Sequence, residues 1–101
     1  MKLSSNEWKT LCYILENRGY RYYDAMDENF NPYSLDEHRY KEFLIYDNVS
    51  KRIRKSPEGS FQRYNMNQKY FLKDLLIEYD AYNDPDEDEK KDIASILKQL
   101  K

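Results

Sequence analysis

Residues 38–73 carry nine Lys/Arg against three acids, while residues 1–37 hold four against seven and residues 74–101 four against nine. A formal net charge of -2 therefore conceals a basic centre between two acidic flanks. Four of the nine cations lie in Lys51-Arg52-Ile53-Arg54-Lys55, and Arg63-Tyr64 follows shortly after. Cations supply the electrostatics of phosphate binding, Arg adds bidentate geometry, and an aromatic beside them offers a stacking face. The candidate nucleic-acid-binding residues are Lys41, Asn48, Lys51, Arg52, Arg54, Lys55, Arg63 and Tyr64. A bland reading stands beside this one, because Lys and Arg also line exposed helix faces that bind nothing.

Catalytic parts are scarce. His38 is the only imidazole, so no acid–base or nucleophile–base set can be assembled around a second one. There is no Gly-rich phosphate loop and no Cys cluster. Asp84, Asp86 and Asp88 alternate as in a calcium loop, but Pro85 interrupts them, and Glu89 and Ser95 stand where Gly and Glu are required. Eleven tyrosines invite a DNA-transfer nucleophile, yet no metal-binding His cluster accompanies any of them. The expectation is a non-catalytic protein with no cofactor and no metal.

These residues must be positioned by a chain of 101 residues, enough for one modest core. Aromatic residues at 16% exclude ordinary disorder, and charged residues at 36% imply a densely charged surface. Two Gly and three Pro leave little material for the turns of a sandwich or barrel. One Cys permits no internal disulfide, and no apolar run approaches the roughly 18 residues of a membrane span. A cytoplasmic protein with no membrane partner is expected.

Ser4-Ser5-Asn6-Glu7 fits a capping box, and Trp8, Leu11, Cys12 and Leu15 follow at helical spacing, with Gly19 placed to end that helix. Cys12 within this stripe reads as a small buried hydrophobe. Tyr20–Asp27 reads as a short separate helix, with a strand as the alternative because its aromatic positions suit neither period cleanly. Ser34-Leu35-Asp36-Glu37 supplies a second capping box, before a run whose Leu35, Phe43, Tyr46, Val49 and Ile53 gather opposite Lys41, Asn48, Lys51, Arg52 and Lys55. Within it, Phe43-Leu44-Ile45-Tyr46 also suits a short buried strand. Pro57 and Gly59 mark a reversal, and Ser60 to Met66 alternates as a hairpin strand would. Tyr70 to Tyr82 is apolar enough to cross the core. Asp84-Pro85-Asp86-Glu87 opens a last helix with Asp84 as N-cap, whose stripe of Ile93, Ile96, Leu97 and Leu100 packs on the domain or on a second copy. The expected division is 1–83 as the domain and 84–101 as a packing or dimerisation helix, with a homodimer as one outcome.

Leu3-Ser4-Ser5-Asn6-Glu7-Trp8-Lys9-Thr10-Leu11 with Leu15-Glu16-Asn17-Arg18-Gly19 resembles the first helix of winged helix-turn-helix domains of the response-regulator effector type. Asn48-Val49-Ser50-Lys51-Arg52-Ile53-Arg54-Lys55 is similar to that family's basic recognition helix, and Pro57 through Tyr64 falls where its wing would follow. Between Tyr20 and Tyr33 the family's short second helix has no counterpart. The resemblance implies a mainly α fold with a small β-hairpin, winged-helix-like α+β, and Lys51, Arg52, Arg54, Lys55 and Arg63 on DNA. An all-α helical bundle is the alternative. The expected function is DNA binding as a regulator or replication accessory, with RNA as a further target. The alternative is an adaptor or inhibitor of mobile-element type. It would dock a host or partner protein through its charged, Tyr-rich surface, with acidic patches imitating phosphates.

Overall fold

The computed structural model describes residues 3–55 and 61–100. Ser4 opens α1 (Ser5–Ala25) with the reciprocal cap that its spacing predicts. The Glu7 N–H donates to Ser4 Oγ at 3.1 Å, and the Ser4 N–H donates to Glu7 Oε1 at 2.8 Å. Gly19 does not stop this helix. The apolar stripe of Leu11, Ile14 and Leu15 continues through Gly19 to Tyr22, and the separate helix expected over 20–27 is the last turn and a half of α1. Gly19 lies in the helix interior because Tyr46 of the next helix packs where a side chain would stand.

A 3-10 turn over Pro32–Ser34 leads into α2 (Glu37–Lys55). The expected cap at Ser34 moves to Asp36, whose carboxylate accepts the Arg39 N–H at 2.8 Å. The Ser34 hydroxyl is engaged instead with the Asp27 N–H and the Asn31 carbonyl. Phe43, Tyr46, Val49 and Ile53 are buried along one face of α2, and the strand considered over 43–46 is helix, with Leu44 left on the outer side.

The winged-helix expectation is corrected. No strand occurs among the described residues, and the architecture is an all-α bundle of four helices. The turn expected at Pro57 and Gly59 lies outside the described residues. Its flanks are helical: α2 reaches Lys55, and Phe61–Arg63 forms a single 3-10 turn with Phe61 buried. The alternation read as a strand yields to a cap. Asn65 Oδ1 accepts the Gln68 N–H at 2.8 Å, Gln68 Oε1 accepts the Asn65 N–H at 2.9 Å, and α3 (Met66–Tyr82) starts there.

The last helix, α4 (Glu87–Gln99), is capped by Asp86 rather than Asp84, with the Glu89 N–H on Asp86 Oδ1 at 2.8 Å. Pro85 is buried just ahead of it, and Asp84 takes the left-handed backbone at φ 44°. Trp8 beside Ile53, and Tyr22 beside Phe43, show α1 antiparallel to α2. Gln99 on Glu7 and Asp92 on Thr10 show α1 antiparallel to α4. Helix α3 wedges between them, burying Phe71, Leu72, Leu75, Leu76 and Tyr79. Ile93, Ile96 and Leu100 are buried in this same core and Leu97 is half-buried against it. The four residues of the expected oligomerisation stripe are thus occupied within their own chain.

Glu7 is a carboxylate buried at the α1–α4 contact. Burial alone raises its pKa, but hydrogen bonds from Ser95, Ser4 and Gln99 outweigh it, and the net direction is downward. A depressed acid contributes stability that is present above the unfolded pKa and lost as pH falls through the folded one. Wild type should therefore melt higher than Glu7→Gln near neutrality, and the difference should shrink as pH falls from about 6 to about 3. Thermal melts across that range check it, and a constant difference would refute it.

Candidate nucleic-acid interface

The last turn of α2 holds Arg52, Arg54 and Lys55, where cations also complement the helix dipole. Trp8 fastens this turn to α1, its indole N–H donating to the Ile53 carbonyl at 3.0 Å. The expected site residues then divide into three groups according to what already holds them.

Arg52, Asn48 and Tyr64 form a joint. The Arg52 guanidinium lies 4.3 Å from the centre of the Tyr64 ring, and its Nη1 donates to Gln68 Oε1 at 3.2 Å. Gln68 Nε2 donates to Asn48 Oδ1 at 3.0 Å while the Gln68 backbone and side chain cap α3. Burial raises the Tyr64 phenol pKa, with Arg52 opposing it, so this ring stays neutral. These three side chains fix the end of α2 to the start of α3 and are only partly available to a ligand.

Lys41 and Lys51 are exposed and each pairs one turn back, with Glu37 at 3.3 Å and with Asp47 at 2.9 Å. Exposed pairs of this spacing contribute about 0.3–0.5 kcal/mol, so a phosphate can replace the carboxylate at little cost. Arg54, Lys55 and Arg63 form the third group. They are exposed and make no ion pair among the described residues.

Two arrangements of this block would have opposite consequences: a hairpin beside a basic helix favours nucleic acid, whereas Arg54 and Arg63 neutralised by the acidic C-terminal segment removes the charge that would bind it. Neither is observed. The hairpin is absent among the described residues, and no described acid of the C-terminal segment pairs with Arg54 or Arg63. Asp92 accepts from Thr10, Glu89 from the Tyr79 hydroxyl, and Asp86 caps its own helix. Among the described residues the basic end keeps its charge, and no strand accompanies it.

Gln68 and Trp8 are the residues of this site that the charge pattern missed. Asn65-Met66-Asn67-Gln68 carries the cap signature in its spacing and would have located Gln68. The lone His38 is exposed and lies 3.0 Å from Glu42. Cys12 is half-buried, and burial pushes its thiol pKa up despite Arg54. Among the described residues no group of three His, Cys, Asp or Glu side chains converges as metal ligands, and no helix is long and apolar enough to cross a membrane. Compared with known proteins, the chain matches no family model, no curated protein and no solved structure.

Proposed function

We propose that this chain is a small non-catalytic nucleic-acid-binding protein that grips the phosphate backbone with the basic end of α2 and the 3-10 turn that follows. The observation that supports this reading is the exposure of Arg54, Lys55 and Arg63 without ion pairs among the described residues. Lys51 and Lys41 extend the same charge back along α2. Phosphate contacts of this kind position a protein without reading base sequence, so DNA of either strandedness is the first target and RNA the next.

Fluorescence anisotropy of labelled single- and double-stranded DNA at about 50 and about 200 mM salt tests it, since phosphate contacts release counterions over that range. Arg54→Ala with Lys55→Ala and Arg63→Ala should weaken binding and reduce the salt slope by about three, at roughly one unit per lost contact. The melting temperature should change little, because all three side chains are exposed. Arg52 is the wrong residue to substitute in this test, since removing it also breaks the joint to Gln68 and Tyr64. Absence of salt-sensitive binding at the lower salt would refute the reading.

A further inference from the structure

The far end of α2 presents a different surface, about 28 Å from the basic end at 1.5 Å per residue over 19 residues. Tyr23, Phe30 and Tyr33 are 39%, 61% and 78% exposed there. Tyr23 sits edge-on to both Phe30 and Phe43 with centroids 6.0 Å apart, and Tyr33 stacks on Tyr40 at 5.3 Å. Tyr40 and Phe43 are one turn apart on α2, so the two aromatic pairs stand on one strip.

The loop carrying Phe30 is tightly held. Asp27 Oδ1 accepts the N–H groups of Asn29 and Asn31, each at 3.1 Å, and the Ser34 hydroxyl bridges the Asp27 N–H and the Asn31 carbonyl. Phe30 itself takes φ 53°, a left-handed backbone that a bulky residue rarely adopts. A large apolar side chain is thus kept in water by an ordered loop. Rigid exposed aromatics of this sort anchor protein interfaces, because little entropy remains to be lost on binding.

The charge around them selects the partner. Nearby cations are already paired, Arg21 with Glu78, Arg39 with Asp36 and Lys41 with Glu37, and the His38 imidazole lies against Glu42. Asp24, Asp27 and Glu28 are exposed and make no ion pair among the described residues. We infer that the Tyr23–Phe30–Tyr33 tip docks a protein surface rich in Arg and Lys around an apolar pocket. The pocket would take Phe30 or Tyr33, and the guanidinium groups would meet the acidic rim and the tyrosine faces. A nucleic acid could stack on the same rings, but its phosphates would face an acidic rim. The surface does not depend on the basic end.

Anisotropy with three labelled probes tests it: an Arg/Trp peptide, an Arg/Ser peptide of equal charge, and oligothymidine. The Arg/Trp peptide should bind about tenfold more tightly than the Arg/Ser peptide, and Phe30→Ser with Tyr33→Ser should abolish that margin. Both side chains are exposed, so the variant should melt like wild type, and Tyr82→Ser, at a tyrosine 80% exposed elsewhere, should keep the margin. Equal binding of the two peptides, or a margin that survives the double substitution, overturns the inference. So does oligothymidine binding that the same double substitution removes.

Discussion

Ile96→Ala should lower the stability of the whole chain by about 2–5 kcal/mol, the cost of truncating a fully buried aliphatic side chain. Ile96 has 0% exposure, and it lies between Ile93 and Leu100 on the face of α4 that meets α1 and α3. Helix α4 has 13 residues, too few to be stable in isolation, so its inward stripe is what keeps it folded. Outside that stripe the helix is held by a few polar contacts, among them Thr10 on Asp92 and Gln99 on Glu7. For a chain of this size each kcal/mol corresponds to roughly 4–8 °C, so the melting temperature should fall by at least about 8 °C. A dimerisation stripe would behave differently, because its loss would matter only where copies associate, and the wild-type melting temperature would rise with protein concentration. Melting wild type and variant at two well-separated concentrations distinguishes the cases. The expected result is the same large drop at both, with no concentration dependence in either protein.

The helix content was legible because its signals are local. Ser4 and Glu7 stand at capping-box spacing, and the stripes of α2 and α4 repeat at the helical period. What failed were the boundaries set by distant residues. Gly19 followed by a run of tyrosines looks like a helix end in isolation, and the fact that reverses this reading is Tyr46, on another helix. Alternation over the seven residues from Ser60 to Met66 is too short a window to outweigh the Asn65–Gln68 cap lying within reach of it. At the start of α4 two aspartates competed for one capping role, and only the backbone at Asp84 decides for Asp86. In the basic block the charges were plain, whereas the pairing of Lys41 with Glu37 and of Lys51 with Asp47 went unread, although each acid lies one turn back. Nor was the engagement of Arg52 legible, because it depends on Tyr64 and Gln68, twelve and sixteen residues further along the chain.

Gly19→Ala should destabilise the protein by about 1–3 kcal/mol, although in an exposed helix the same change would stabilise by nearly 1 kcal/mol. The sign is decided by one neighbour. A methyl built on Gly19 collides with the Tyr46 hydroxyl oxygen and comes within 3.0 Å of the ring carbon that bears it. A phenol at the end of a mobile side chain could step aside, but this one is 5% exposed and packed by Tyr22, Phe43 and Phe71 at centroid distances of 5.3, 6.0 and 6.4 Å. Displacing the ring would disturb the aromatic centre of the α1–α2 contact. Tyr46→Phe removes the colliding oxygen and leaves the ring in place, so Gly19→Ala should cost at least about 1 kcal/mol less in that background. Urea unfolding of the four proteins in the cycle measures the coupling. With unchanged m-values, a positive interaction between the two sites would show that Gly19 is retained for close helix approach. Equal costs in both backgrounds would mean that the collision is relieved by a backbone shift and that Gly19 is there for some other reason.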